Sequence, residues 1–115
     1  MAEHIMKLHP GPFSKIKDGS KTIELRLYDE KRQRISVGDT IRFFDTANAA
    51  DAVVVRVRDL FIFDSFDELY KHLPLTECGY TEDDINTASP DDMEMYYSKE
   101  KQKQYGVIGV QISLI

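Results

Sequence analysis

From Ala52 to Phe63 the chain runs through Val53, Val54, Val55, Arg56 and Val57, a run dominated by β-branched residues. β-Branched side chains crowd a helix and pack well on a pleated surface, so this run predicts one long strand. Its β-branched richness places that strand at the centre of a sheet. Asp59 interrupts it, which predicts a bend or bulge there. A chain of 115 residues has room for one ordinary core, so everything else must pack around this strand in a single domain spanning residues 1–115.

Shorter elements surround it. Ile5 to His9 is a brief extended run, broken by Pro10-Gly11-Pro12. A short helix over 12–18 follows, with Phe13 and Ile16 on one side and Gly19 as its terminator. From Lys21 to Tyr28 the period changes to two: Thr22, Glu24, Arg26 and Tyr28 alternate with Ile23, Leu25 and Leu27. The charged run Asp29 to Arg34 is a connection, Val37-Gly38-Asp39 a turn and Thr40 to Phe44 a second strand. Ser65 and Glu68 have capping-box spacing before a helix stopped by Pro74, and Thr81 with Asp84 repeats the pattern. Ser89-Pro90-Asp91-Asp92 predicts another helix, carrying Met93, Tyr96 and Tyr97 on its apolar side and Lys99, Lys101 and Lys103 toward its end. Gly106 to Leu114 closes the chain as a strand.

Strands first and last, with helices inserted and no regular alternation, indicate an α+β fold. The expected architecture is a small, mostly antiparallel β-barrel of five to six strands with three to four short helices, because closure removes the exposed edges of so short a sheet.

Composition excludes several classes. Apolar residues make up 42% and charged residues 30%, ordinary values for a globular chain. No apolar run approaches the roughly 20 residues of a membrane span, and Met1-Ala2-Glu3-His4 lacks a signal peptide's layout, so a soluble cytoplasmic protein with no membrane partner is expected. The single Cys78 reads as a buried thiol. His4, His9 and His72 form no metal-ligand pattern, and no metal or cofactor is expected. The net charge of −5 argues against generic polyanion binding. Yet residues 1–44 hold nine Lys/Arg against six acids, so an anionic ligand should meet that third of the chain.

The segment Gly19-Ser20-Lys21-Thr22-Ile23-Glu24-Leu25-Arg26 concentrates chemistry. Strand parity puts Thr22, Glu24 and Arg26 on one face with Lys21 at its mouth. Such a face is either a solvated edge or a site.

Three stretches, GxKxxExR (Gly19, Lys21, Glu24, Arg26), GDxIxF (Gly38 to Phe43) and YGVIGV (Tyr105 to Val110), together resemble the ASCH domain family across essentially the whole chain. That resemblance implies a barrel similar to the PUA RNA-binding domain. It also implies a ligand that is RNA, a nucleotide or a modified nucleoside, held in a cleft lined by the motif. Some members of the family are amidohydrolases of N(4)-acetylcytidine, with a lysine where this chain has Lys21, a threonine nucleophile three residues on and a later glutamate. Here Glu24 occupies the nucleophile position, Thr22 supplies a hydroxyl two positions away and Glu77 is the candidate for the third role. Other members are similar to metal-independent ribonucleases acting on single strands. In that setting Lys21 would hold a phosphate and Arg26 offer a planar fork. Glu24 would be either a general base or an ion-pair partner orienting both cations. Tyr28, Tyr96, Tyr97 and Tyr105 are candidates for base stacking or for core packing, Ser98 for the same cleft, and Lys31, Arg32 and Arg34 for a basic rim.

Overall fold

The computed structural model describes all 115 residues. Its strands are β1 (Glu3–Leu8), β2 (Ile23–Leu27), β3 (Thr40–Asp45), β4 (Asn48–Phe63) and β5 (Val107–Leu114). Its helices are α1 (Pro10–Lys17), α2 (Phe66–His72) and α3 (Lys99–Tyr105). The strands form one sheet in the order β1-β3-β4-β5-β2.

β4 is the predicted central strand. Its first half pairs with β3 and its second half with β5, and the register shifts between Val57 and Asp59. That shift is the expected irregularity, and it turns the strand so that the sheet curls. The curl brings the two outermost strands close enough for Arg26 of β2 to donate to the Lys7 carbonyl of β1 at 2.8 Å.

The expectation of a mostly antiparallel closed barrel needs two corrections. β1 pairs with β3 in parallel, Glu3 opposite Thr40 through Leu8 opposite Asp45. And β1 does not pair with β2: the sheet is a curled half-barrel whose seam is crossed by side chains. α1, lying between β1 and β2 in sequence, takes the chain off the sheet and lets β1 lie beside a strand that comes later.

Two apolar clusters occupy the two faces. On the inner face Ile41, Phe43, Val55, Val57, Ile108 and Val110 pack with Phe13 and Ile16 of α1. On the outer face Ile23, Leu25, Leu27 and Val107 pack against Phe66 and Leu69 of α2, with Cys78 beside them. β2 therefore has cover on both sides, which a two-period pattern alone does not reveal.

The helices are shorter than predicted at one place. α1 begins at Pro10 and ends at Lys17, where Gly19, at φ +86°, adopts the left-handed conformation that stops it. Ser65 caps α2 by accepting from the Glu68 N–H. Ser89 and Asp92 do form a capping box, but only the single 3₁₀ turn Pro90–Met93 follows. α3 starts separately with Ser98 as its cap, so Lys99 stands in its first turn instead of near the end of a long helix. Gln102 locks this arrangement, accepting from Phe66 N–H and donating to the Tyr97 carbonyl.

Candidate ligand-binding cleft

A cleft of about 380 Å³ opens between β2, the α1 helix, the 78–80 loop and the 92–97 segment. Its floor is the GxKxxExR segment. Glu24 is almost fully buried, at 3% exposure, and both of its oxygens are taken. Lys21 Nζ lies 2.7 Å from Oε1 and Arg26 Nε donates to Oε2 at 2.8 Å. Burial pushes the Glu24 carboxyl up, but Lys21 and Arg26 outweigh it and hold the group below the usual carboxylate range. Burial works against the Arg26 charge too, and Glu24 reverses that, raising its pKa. A carboxylate so bound is an orienting partner for two cations, and the lowering of its pKa makes it a weak base.

The cations keep donors in reserve. Arg26 has five N–H donors and directs Nε to Glu24 and Nη2 to Lys7 O, with Tyr97 also beside its guanidinium. Lys21 has three and gives one to Glu24. Lys15 Nζ, on α1, donates to Gly79 O at 2.6 Å. Gly79 sits at φ +113°, and a Cβ there would stand 3.3 Å from Lys21 Cδ, so the glycine lets the loop press against the lysine stem. The same loop is fastened to β2 by the Glu77 carbonyl, which accepts from both Thr22 and Ile23 N–H.

The walls are aromatic. Tyr97 lines the cleft with its hydroxyl pushed up by burial, Arg26 opposing. Tyr96 is 52% exposed at the rim, its ring centroid 6.2 Å from that of His9. Tyr70 and Tyr80, which also line the cleft, are hydrogen-bonded at 2.7 Å, and the Tyr80 hydroxyl donates to Asp92 at 2.7 Å. In all, four cationic side chains (Lys7, Lys15, Lys21, Arg26) meet three carboxylates (Glu24, Asp84, Asp92) around the cleft, on a chain whose net charge is −5.

The structure thus brings Lys21, Glu24, Arg26, Tyr96 and Tyr97 together and disperses the other sequence candidates. Thr22 faces away from the cleft, its hydroxyl donating to Glu77 Oε1 at 2.9 Å, so this pair satisfies itself beside the site. Tyr28 packs against the inner core and Tyr105 against the outer one. Ser98 is a helix cap, accepting from Lys101 N–H. The basic run is engaged locally: Lys31 donates to Ile5 O at 2.9 Å and Arg32 to Asp29 at 3.1 Å, so it forms no rim. Lys15, Tyr70, Tyr80 and Asp92 were not legible as site residues, because each belongs to a different element and only the curl assembles them. Cys78, on the cleft's inner side, is buried, its thiol pushed up to about 12 mainly by that burial.

A small curled α+β sheet with the motif strand at its edge and a cation-floored cleft is consistent with a PUA-like fold. The chain belongs to the ASCH domain family, which matches residues 6–115. It is similar over 100% of both chains to the crystal structure of the hypothetical protein PH0355, with 30% identity and a TM-score of 0.80. A solution structure of protein PF0455 from Pyrococcus furiosus shares 31% identity over 98% of this chain and 97% of that one, with a TM-score of 0.72. The fold is also shared with ASCH from Zymomonas mobilis at 15% identity and a TM-score of 0.65, over 96% of this chain and 66% of that one. Among curated proteins none matches.

Proposed function

We propose that this chain, as one ASCH domain acting in the cytoplasm, binds a nucleotide, a modified nucleoside or the end of an RNA strand in the cleft over Lys21, Glu24 and Arg26. The observation that carries the reading is the doubly paired, buried Glu24. It fixes two cations at the floor of an aromatic-walled cleft while leaving some of their donors free. A phosphate or carbonyl oxygen satisfies those donors, and a base stacks against Tyr97 or Tyr96, a contact contributing about 1–3 kcal/mol. A volume of about 380 Å³ suits one nucleoside and little more.

Binding without turnover is the better-supported form of this reading. The nucleophile position is a carboxylate with both oxygens occupied, and the Thr22 hydroxyl points to Glu77 outside the cleft. The test is heteronuclear NMR with nucleoside monophosphates added stepwise. Shifts should concentrate at Lys15, Lys21, Arg26 and Tyr97; shifts confined to the 31–34 run, or none at all, would overturn the assignment.

A further inference from the structure

One wall of the cleft has a fixed hydrogen-bond polarity. An ionised carboxylate only accepts, so the one proton of the Tyr80 hydroxyl goes to Asp92 Oδ2, at 2.7 Å. Tyr70 must then be the donor in its 2.7 Å contact with the Tyr80 oxygen. Asp92 Oδ2 also accepts from the Ser89 N–H at 3.1 Å, which holds the carboxylate in place. With every hydroxyl proton committed, what remains on this wall is lone pairs: Asp92 Oδ1 and those left on the two phenol oxygens. The floor is the reverse, since Lys15, Lys21 and Arg26 have only donors to offer.

Resting on the proposed nucleotide-binding reading, we infer that Tyr70, Tyr80 and Asp92 form a specificity wall selecting nucleobases that present an exocyclic amino group over those that present a carbonyl in its place. The phosphate end of such a ligand meets the floor donors, and its amino N–H groups meet the acceptor wall. A keto base turns a carbonyl lone pair toward Asp92 and leaves acceptor facing acceptor, an arrangement with no favourable pairing. None of these three residues lies in the GxKxxExR segment; they come from α2, the loop after it and the 3₁₀ turn Pro90–Met93.

Calorimetric titration with the matched pairs CMP and UMP, and AMP and IMP, tests this, with ribose 5-phosphate as the base-free probe. The amino member of each pair should bind about fivefold or more tighter, the scale of one hydrogen bond to a charged acceptor near the surface. Asp92→Asn adds an amide donor while keeping an oxygen for Tyr80. It should bring the ratio to unity or invert it. Tyr80→Phe frees the carboxylate to move and should reduce the ratio in the same direction. Equal affinities within both pairs for the native protein, or a ratio unmoved by Asp92→Asn and by Tyr80→Phe, would overturn the wall while leaving the cleft assignment intact. Failure of every nucleotide and of ribose 5-phosphate to bind would overturn both.

Discussion

Arg26 on the last strand of the sheet donates to the main-chain oxygen of Lys7 on the first, at 2.8 Å, although no ladder joins those strands. Lys31 does the same to Ile5 O, two residues earlier on β1. In a parallel strand the carbonyls of alternate residues point to the unpaired side, and these two would otherwise be a bare edge. The seam of the half-barrel is thus closed by cationic side chains, one of which is also part of the binding floor.

Arg26→Lys should therefore weaken both. An ammonium on a shorter stem cannot serve Glu24 and Lys7 O together, so a loss of about 1–3 kcal/mol in denaturant unfolding is expected, with faster amide exchange in β1. Unchanged stability and exchange would mean the seam is held by other contacts.

Glu24→Gln removes the charge between two largely buried cations. Breaking a buried network by deleting one partner costs about 3–5 kcal/mol, far more than the network contributes relative to apolar residues. Chemical denaturation would read this directly; a change below about 1 kcal/mol would show that solvent reaches the site.

Stability should fall with acid. Glu24 is held below its ordinary value and Asp39 is lowered to about 2, by the His4 hydrogen bond first and then by Ser36 N–H. For a carboxyl depressed on folding, the unfolded chain takes up the proton first. The stabilisation is then present above the unfolded value of 3.8 for Asp39 and is lost as pH drops toward 2. Asp39→Asn should flatten that part of the profile in circular dichroism; a native profile already flat between these limits would contradict the pairing.

Cys78 should be inert in the folded protein. With its thiol raised to about 12, almost no thiolate exists at pH 8, and alkylation should be slow until denaturant is added. Rapid stoichiometric labelling of native protein would show that the cleft opens past Lys21.

Much of this architecture is written in local pattern. The β-branched run of β4 with its break at Asp59, the two-period alternation of β2 and the Ser65 cap each follow from side-chain geometry within a few residues. The parallel pairing of β1 with β3 does not, because it depends on which edge a distant strand reaches. The segment from Ser89 illustrates the limit of local signals: its capping box is real, yet Ser98 provides a second start and the chain breaks between them. Likewise Glu24 and Arg26 share a face by parity with Lys21 at its mouth, but whether that face is wet or buried depends on the curl of the sheet and the helix over it. Only their burial separates an ion-paired floor from a solvated edge.

The most direct test replaces the whole ion network: Lys21→Met, Glu24→Leu and Arg26→Met together. Apolar residues of similar volume leave no orphaned charge, so the triple variant should still fold, with a melting temperature lowered only by the loss of the Arg26 bond to Lys7 O across the seam. Calorimetric titration with AMP and CMP should then show binding to the native protein and a loss of at least about tenfold in the folded variant. Equal affinity in the two proteins would contradict the claim that this floor holds the ligand.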